Sequence, residues 1–293
     1  MNYYLKKKFL IVVNPVSGGI DKTSFIDVVS DFASNENINI IVYETTMIKD
    51  ISKIRMLYLK HLPERIIVLG GDGTIKMVAE AIEKYDVILG IVPVGSSNGL
   101  AVDLDLMKSL EENLYIAFYN DFIALDTIVL NDQKCFHLSD LGINAELVKN
   151  YEKSNLRGKW GYFIQAINTL LDLGDPFTAK ITVNGKTIES EARMIVIANS
   201  QKYGTGVVIN PNGIMNDGLF ELVILKRLDL MIFGEIIMGN MTLMPDKIEI
   251  ISTNKAVITT NYPVSFQIDG EYCDLVTKLE ISISPYKIKV AIP

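Results

Sequence analysis

Ile66-Ile67-Val68-Leu69-Gly70-Gly71-Asp72-Gly73-Thr74-Ile75-Lys76-Met77-Val78-Ala79-Glu80-Ala81-Ile82 decides the fold class of this 293-residue chain. The run from Ile66 to Leu69 is apolar on every residue, short, and closed by glycines. Such a run predicts a strand buried on both faces. Beyond Thr74, Ile75, Val78, Ala79 and Ile82 recur at helical spacing. The stretch therefore predicts a strand, a glycine loop and a helix.

The same alternation extends outward in both directions. Phe9 to Val13, Ile38 to Tyr43 and Val87 to Val92 predict further buried strands. Helical patterns lie between them, at Phe25, Val28, Val29 and Phe32 and around Ile51, Ile54, Leu57 and Tyr58. Strands joined by helices predict an α/β domain with a parallel sheet over residues 1–120. From about residue 121 to 293 strands follow one another directly. The clearest signal is a hairpin in which Asn184-Gly185 joins Thr178–Val183 to Lys186–Ser190. Extended runs recur at Ile195–Ala198, Phe220–Leu225, Ile248–Ser252, Ala256–Thr260 and Val264–Ile268, with two more after Leu279. Helical patterns interrupt at Gly158–Leu171 and Leu228–Gly239. The expectation is a mostly antiparallel β-sandwich as the second domain, with a C-terminal segment free to return to the first.

Composition narrows the function classes. The 28 basic and 35 acidic residues give a net charge of −7, with no concentrated basic surface. Sequence-independent nucleic-acid binding needs one, so no nucleic-acid partner is expected. The only cysteines, Cys135 and Cys273, lack metal-ligand or redox spacing. No stretch reaches the roughly 18 apolar residues of a membrane span. A cytoplasmic protein is expected, meeting any membrane from its surface. The sequence leaves a homodimer open.

Three loops follow the carboxyl ends of predicted parallel strands, where ligands of open α/β sheets bind. They are Asn14-Pro15-Val16-Ser17-Gly18-Gly19, Gly70-Gly71-Asp72-Gly73-Thr74 and Pro93-Val94-Gly95-Ser96-Ser97-Asn98-Gly99. Glycines let the backbone approach a bulky anion, and the helix N-termini that follow offer N–H groups and a favourable dipole. Hydroxyls of Ser17, Thr74 and Ser96 suit phosphate oxygens or helix caps equally. A carboxylate such as Asp72 inside a phosphate cradle repels the ligand unless a cation such as Mg²⁺ intervenes. No Walker-type lysine and no G-x-G-x-x-G is present, which excludes P-loop and dinucleotide-binding fingerprints.

Taken in order, these loops resemble those of the diacylglycerol kinase-type lipid kinases, a group that includes bacterial soluble lipid kinases and eukaryotic sphingosine and ceramide kinases. The resemblance continues through Leu156-Arg157-Gly158-Lys159-Trp160-Gly161-Tyr162 and Ala198-Asn199. Tyr203-Gly204-Thr205-Gly206, Pro211, Asn216-Asp217-Gly218-Leu219 and Asp269-Gly270-Glu271 complete it. It implies an ATP- and Mg²⁺-dependent kinase of a lipid such as diacylglycerol or a sphingoid base, met at the membrane surface. ATP would lie on Asn14, Pro15, Ser17, Gly18, Thr45, Gly70, Gly71, Asp72, Gly73, Thr74, Ser96 and Asn98. A structural metal would lie on Asp217 with the carbonyls of Ile214 and Leu219. Glu271 would accept the hydroxyl proton, with Asp269 in its hydrogen-bond and Mg²⁺ network and Asp72 as the rival base. Read without the family, Asn216-Asp217-Gly218 and Asp269-Gly270 are plain turns. Gly99 departs from the bacterial pattern, where an aspartate is common, and is closer to the sphingosine-kinase branch. The alternatives are a kinase of a soluble substrate resembling NAD kinases, and a non-catalytic nucleotide or lipid sensor.

Overall fold

The computed structural model describes residues 7–16, 22–95, 98–142, 145, 175–203, 206–227, 232, 234, 236, 238 and 246–293. Backbone contacts divide the chain into two units, Met1–Leu125 with Tyr286–Pro293, and Asp126–Pro285. The first unit begins β1 (Lys8–Val13), α1 (Thr23–Asn35), β2 (Asn39–Glu44), α2 (Asp50–His61), β3 (Arg65–Gly70), α3 (Asp72–Ile82) and β4 (Ile88–Pro93). It continues with α4 (Gly99–Asp103), α5 (Leu110–Tyr119) and β5 (Phe122–Leu125). The second unit holds β6 (Ile128–Leu130), β7 (Gln133–Cys135), β8 (Leu138–Gly142), β9 (Phe177–Val183) and β10 (Lys186–Ala192). Its later strands are β11 (Met194–Ala198), β12 (Phe220–Leu225), β13 (Ile248–Thr253), β14 (Lys255–Ile268) and β15 (Glu271–Ile283). The last strand, β16 (Ile288–Ala291), belongs to the first unit.

In the first unit six strands form one sheet in the order β2-β1-β3-β4-β16-β5. β1 to β4 run parallel, β16 is parallel to β4, and β5 is antiparallel to β16. The central strands are buried along almost their whole length. That follows from helices covering both faces, which removes the need for polar residues on alternate positions. Phe9, Ile11 and Val13 share a core with Val29 and Ala33 of α1 and with Leu114, Ala117 and Phe118 of α5. Phe118 stacks at 5.1 Å from Phe9 and edge-on at 5.0 Å from Phe32. A capping box, Ser109 with Glu112, starts α5. Arg65 donates to the carbonyls of Ala117 and Asn120 at its other end.

The second unit is an antiparallel ten-stranded sheet, β13-β12-β11-β8-β14-β15-β6-β7, with β9 pairing β14 and β10 pairing β9. β9 and β10 turn through Asn184 and Gly185, both at positive φ, the two-residue hairpin geometry that Asn-Gly favours. Two expected strands, Ala256–Thr260 and Val264–Ile268, are halves of the single strand β14, and one of those expected after Leu279 begins earlier, at Glu271. Pro263, between the two runs, sits where the register against β15 shifts, between Thr259 and Val264, a place that tolerates a residue without an N–H donor. The expected helix at Gly158–Leu171 and most of that at Leu228–Gly239 lie outside the described residues.

Candidate functional site

The strand order puts β2, β1, β3 and β4 side by side and parallel, so the loops after them share one edge of the first unit. Backbone bonds tie these loops together just beyond the strands. Thr45 N–H donates to Val13 O at 2.8 Å, Asn14 N–H to Leu69 O at 3.2 Å and Val94 N–H to Gly70 O at 3.1 Å. Asn14 turns its Oδ1 onto the N–H of Val16 and donates from Nδ2 to Thr74 Oγ1 at 3.2 Å, linking the first loop to the second.

Asp72 links the second loop to the third. It opens α3, and its carboxylate accepts the N–H of Gly99 at 2.7 Å and of Leu100 at 3.1 Å, at the start of α4. A charged acceptor on two unpaired N–H groups of a helix start is a strong cap. It also partly meets the carboxylate's charge without a cation. Gly95 packs against Gly71 so closely that a Cβ at 95 would sit 2.4 Å from Gly71 Cα and 2.7 Å from its nitrogen. No side chain fits between these loops. Asn98 closes the third loop on itself, accepting from Gly95 N–H at 3.2 Å and donating to Gly95 O at 3.0 Å.

The structure thus brings Asn14, Thr45, Gly70, Gly71, Asp72, Thr74 and Asn98 to one edge, with Pro15 and Gly73 exposed beside them. Ser17, Gly18 and Ser96 lie outside the described residues. Thr45 is buried and its Oγ1 has no hydrogen-bond partner among the described residues. Two residues here escaped sequence reading. Lys22, only 2% exposed, donates its ammonium to Val94 O at 2.9 Å, and as a lone lysine at a helix start it carries no pattern that marks it. Asp50 is buried after the second strand, accepting from Tyr43 OH at 2.5 Å and from Thr46 N–H and Oγ1. Burial pushes its carboxyl up, but these bonds outweigh burial and hold it below its ordinary value. Burial, then the bond to Asp50 and its charge, push the Tyr43 phenol up to about 12.

In the second unit Asp269 and Gly270 form the tight turn between β14 and β15, both at positive φ. The turn is anchored on two sides. Asp269's carboxylate accepts the N–H of His137 at 2.9 Å and of Phe136 at 3.1 Å, with the Cys135 thiol at 3.3 Å. Gly270 N–H donates to Gln267 Oε1 at 2.7 Å, and Gln267 Nε2 donates to the buried Asp140 at 2.5 Å. Tyr203 OH also donates to that carboxylate, at 3.3 Å. Glu271 opens β15 and is exposed.

Asp217 is exposed and accepts the N–H of Leu219 at 2.9 Å through Oδ1; Ile214 is exposed and Leu219 half-buried. Beneath this turn lies Asp126, fully buried, whose Oδ2 accepts Gly218 N–H at 2.7 Å and whose own N–H donates to Met215 O at 2.8 Å. A lone acid in the apolar run Phe122-Ile123-Ala124-Leu125-Asp126-Thr127-Ile128 was the signal for it, since such a residue is buried only with partners.

Known proteins bear out this architecture. Residues 8–130 match the diacylglycerol kinase catalytic domain, and residues 139–292 the YegS C-terminal NAD kinase β-sandwich-like domain. A Staphylococcus epidermidis protein described as a "Putative lipid kinase" is 29% identical over 245 residues, 77% of this chain and 75% of that protein. The lipid kinase YegS of Escherichia coli K12 is 29% identical over 163 residues, 54% of each chain. The crystal structure of a diacylglycerol kinase from Bacillus anthracis str. Sterne superposes with a TM-score of 0.74 at 17% identity, over 98% of this chain and 97% of that one. The fold is therefore that of a two-unit kinase with a parallel α/β sheet and an antiparallel second sheet. The chain belongs to the YegS and diacylglycerol kinase family of lipid kinases.

Proposed function

We propose that the protein transfers the γ-phosphate of ATP to the hydroxyl of a membrane lipid such as diacylglycerol or a sphingoid base. The observation that carries this reading is the welding of three loops by Asp72, Asn14 and the Gly71–Gly95 contact. A rigid edge of glycine backbone and helix N-termini is suited to a polyphosphate, and phosphoryl transfer depends on positioning and charge neutralisation. Asn14, Pro15, Ser17, Gly18, Thr45, Gly70, Gly71, Asp72, Gly73, Thr74, Ser96 and Asn98 take the nucleotide in this proposal.

A carboxylate such as Asp72 at a phosphate-binding edge calls for a cation between it and the phosphates, which fits Mg²⁺; when bound, the ion would draw charge from the phosphate oxygens. Asp217 and the carbonyls of Ile214 and Leu219, near it in sequence, are an oxygen set of the kind a hard cation prefers.

The lipid hydroxyl oxygen bonds to the γ-phosphorus while the bond from that phosphorus to the bridging oxygen of ADP breaks. The hydroxyl proton passes to a carboxylate, which we assign to Glu271. Asp269 is committed to three donors at the turn and acts by fixing Glu271.

The test is mass spectrometry of lipid extract incubated with the protein, ATP and Mg²⁺, beside an NAD control. A phosphorylated lipid is expected, formed at a rate lowered by roughly 10²–10⁴ in Glu271→Gln with an unchanged melting temperature. Product from NAD, or nucleotide binding with no product from any lipid, would overturn the proposal.

A further inference from the structure

The turn that leads into Glu271 is held more firmly than its own chemistry requires. An Asp-Gly pair with both φ positive, here +51° and +84°, closes a two-residue hairpin unaided. Neither central N–H belongs to the ladder between β14 and β15, in which Ile268 pairs with Glu271. Here both are taken. Asp269 N–H donates to Leu138 O at 2.8 Å, and Gly270 N–H to Gln267 Oε1 at 2.7 Å. The Asp269 end rests on backbone groups and on its own carboxylate. The Gly270 end rests on a side-chain amide, and what orients that amide lies in the neighbouring strand.

Gln267 of β14 pairs across the sheet with Asp140 of β8, so the two side chains stand on one face. Gln267 is 2% exposed and Asp140 not at all. Gln267 Nε2 donates to Asp140 Oδ2 at 2.5 Å, and Tyr203 OH donates to the same oxygen at 3.3 Å. An amide donates from one atom and accepts at the other, and the two ends are nearly alike in shape. A carboxylate only accepts. Beside Asp140, therefore, the nitrogen of Gln267 has to face the acid and its oxygen has to face Gly270 N–H. An asparagine at 140 offers both kinds of group and fixes neither sense. Burying an acid in the middle of a strand is costly, and two apolar residues of similar volume would serve stability as well or better. What they would not do is aim the turn.

We propose that Asp140 is a positioning residue for phosphoryl transfer: acting through Gln267, it locks the Gly270 end of the turn and with it the carboxylate of Glu271. This rests on the assignment of Glu271 as proton acceptor. A misplacement of about 1 Å costs on the order of 10²-fold in rate, so the hold on the residue before Glu271 has a measurable share in kcat.

The test measures melting temperature, kcat and hydrogen exchange at the Gly270 amide in variants of the full chain. The acceptor is diacylglycerol or sphingosine in detergent micelles, whichever the wild-type chain phosphorylates. Asp140→Asn should lower kcat roughly 10–10²-fold and leave KM for ATP unchanged, since the loops assigned to the nucleotide belong to the first unit. It should also speed exchange at Gly270 roughly five- to tenfold, the loss of one hydrogen bond. Asp140→Val with Gln267→Met removes both partners at once. That pair should melt at the wild-type temperature or above and still show low kcat and fast exchange. Adding Asp140→Asn to Glu271→Gln, where the carboxylate to be positioned is already gone, should lower kcat no further. If Asp140→Asn does not fold, the apolar pair carries the same comparisons. Wild-type kcat in Asp140→Asn, activity that returns with stability in the apolar pair, an additive loss on Glu271→Gln, or wild-type exchange at Gly270 would each overturn the proposal. Fast Gly270 exchange in the variants with no phosphorylated lipid from the wild-type chain would sink the kinase reading and leave Asp140 as the residue that aims the turn.

Discussion

Replacing Asp72 by alanine tests whether the loops are joined by this side chain or merely lie near it. The carboxylate accepts two N–H groups at 2.7 and 3.1 Å, at the start of α4. Hydrogen bonds to a charged group contribute about 1.5–3 kcal/mol each when well buried, and loss of a helix cap costs about 1 kcal/mol at the surface. Asp72 is half-buried, which puts Asp72→Ala between these limits, at about 2–3 kcal/mol of destabilisation. In a unit of this size that corresponds to a fall in melting temperature of roughly 5–15 °C. Asp72→Asn keeps one acceptor oxygen but turns an amide donor towards the other N–H, so it should lose at least half as much. Urea unfolding followed by circular dichroism measures both, and a thermal-shift titration with ATP runs beside it. The fold is thus not expected to be indifferent to Asp72, as a purely ligand-directed carboxylate would make it. Unchanged stability in Asp72→Ala, with nucleotide binding lost, would refute the argument that this residue welds the loops.

Gly95→Ala forces a methyl into the backbone of Gly71 and should cost about 1–3 kcal/mol while weakening ATP binding, measured by calorimetry; an alanine variant that binds ATP normally would show that the loops have room to part. Asp50 and Tyr43 predict a pH dependence at both ends. Asp50 is held below its ordinary value, so its contribution is complete above that value and is lost as pH falls through the lower folded one. Tyr43 is raised from 10.0 to about 12, so its contribution is complete below 10.0 and is lost as pH rises towards about 12. Tyr43→Phe should flatten the alkaline limb of a stability–pH profile and shrink the acid limb; an unchanged profile would break the link.

The parallel half of the fold was legible because nothing in it conflicts. Phe9–Val13, Ile66–Leu69 and Val87–Val92 are apolar on both faces and bounded by loops, and they lie within one or two residues of β1, β3 and β4. The Asn184-Gly185 hairpin was legible for the same reason, a turn whose chemistry allows little else. Helix α5 went unread although Ser109 and Glu112 carry its capping signature and Leu110, Leu114, Ala117 and Phe118 recur at helical spacing. β16 was not assignable to a place between β4 and β5, since a four-residue strand holds no record of its partners. For the candidate site, glycines and hydroxyls announced the loops. What joins them did not: Asp72 reaching Gly99 and Leu100, and Lys22 reaching Val94, are contacts over 27, 28 and 72 residues. Local pattern is blind to such partners.

The place of β16 sets the order in which this chain matures on the ribosome. β4 and β5 have both been made by residue 125, yet the strand that joins them is residues 288–291. At ordinary elongation rates the nascent α/β half waits roughly ten seconds or more with those two edges open. The β-rich half can be finished during that wait, so the part synthesised first is the part completed last. An unpaired strand edge is a template for other chains, and chaperone engagement or aggregation of the nascent chain should concentrate in that interval.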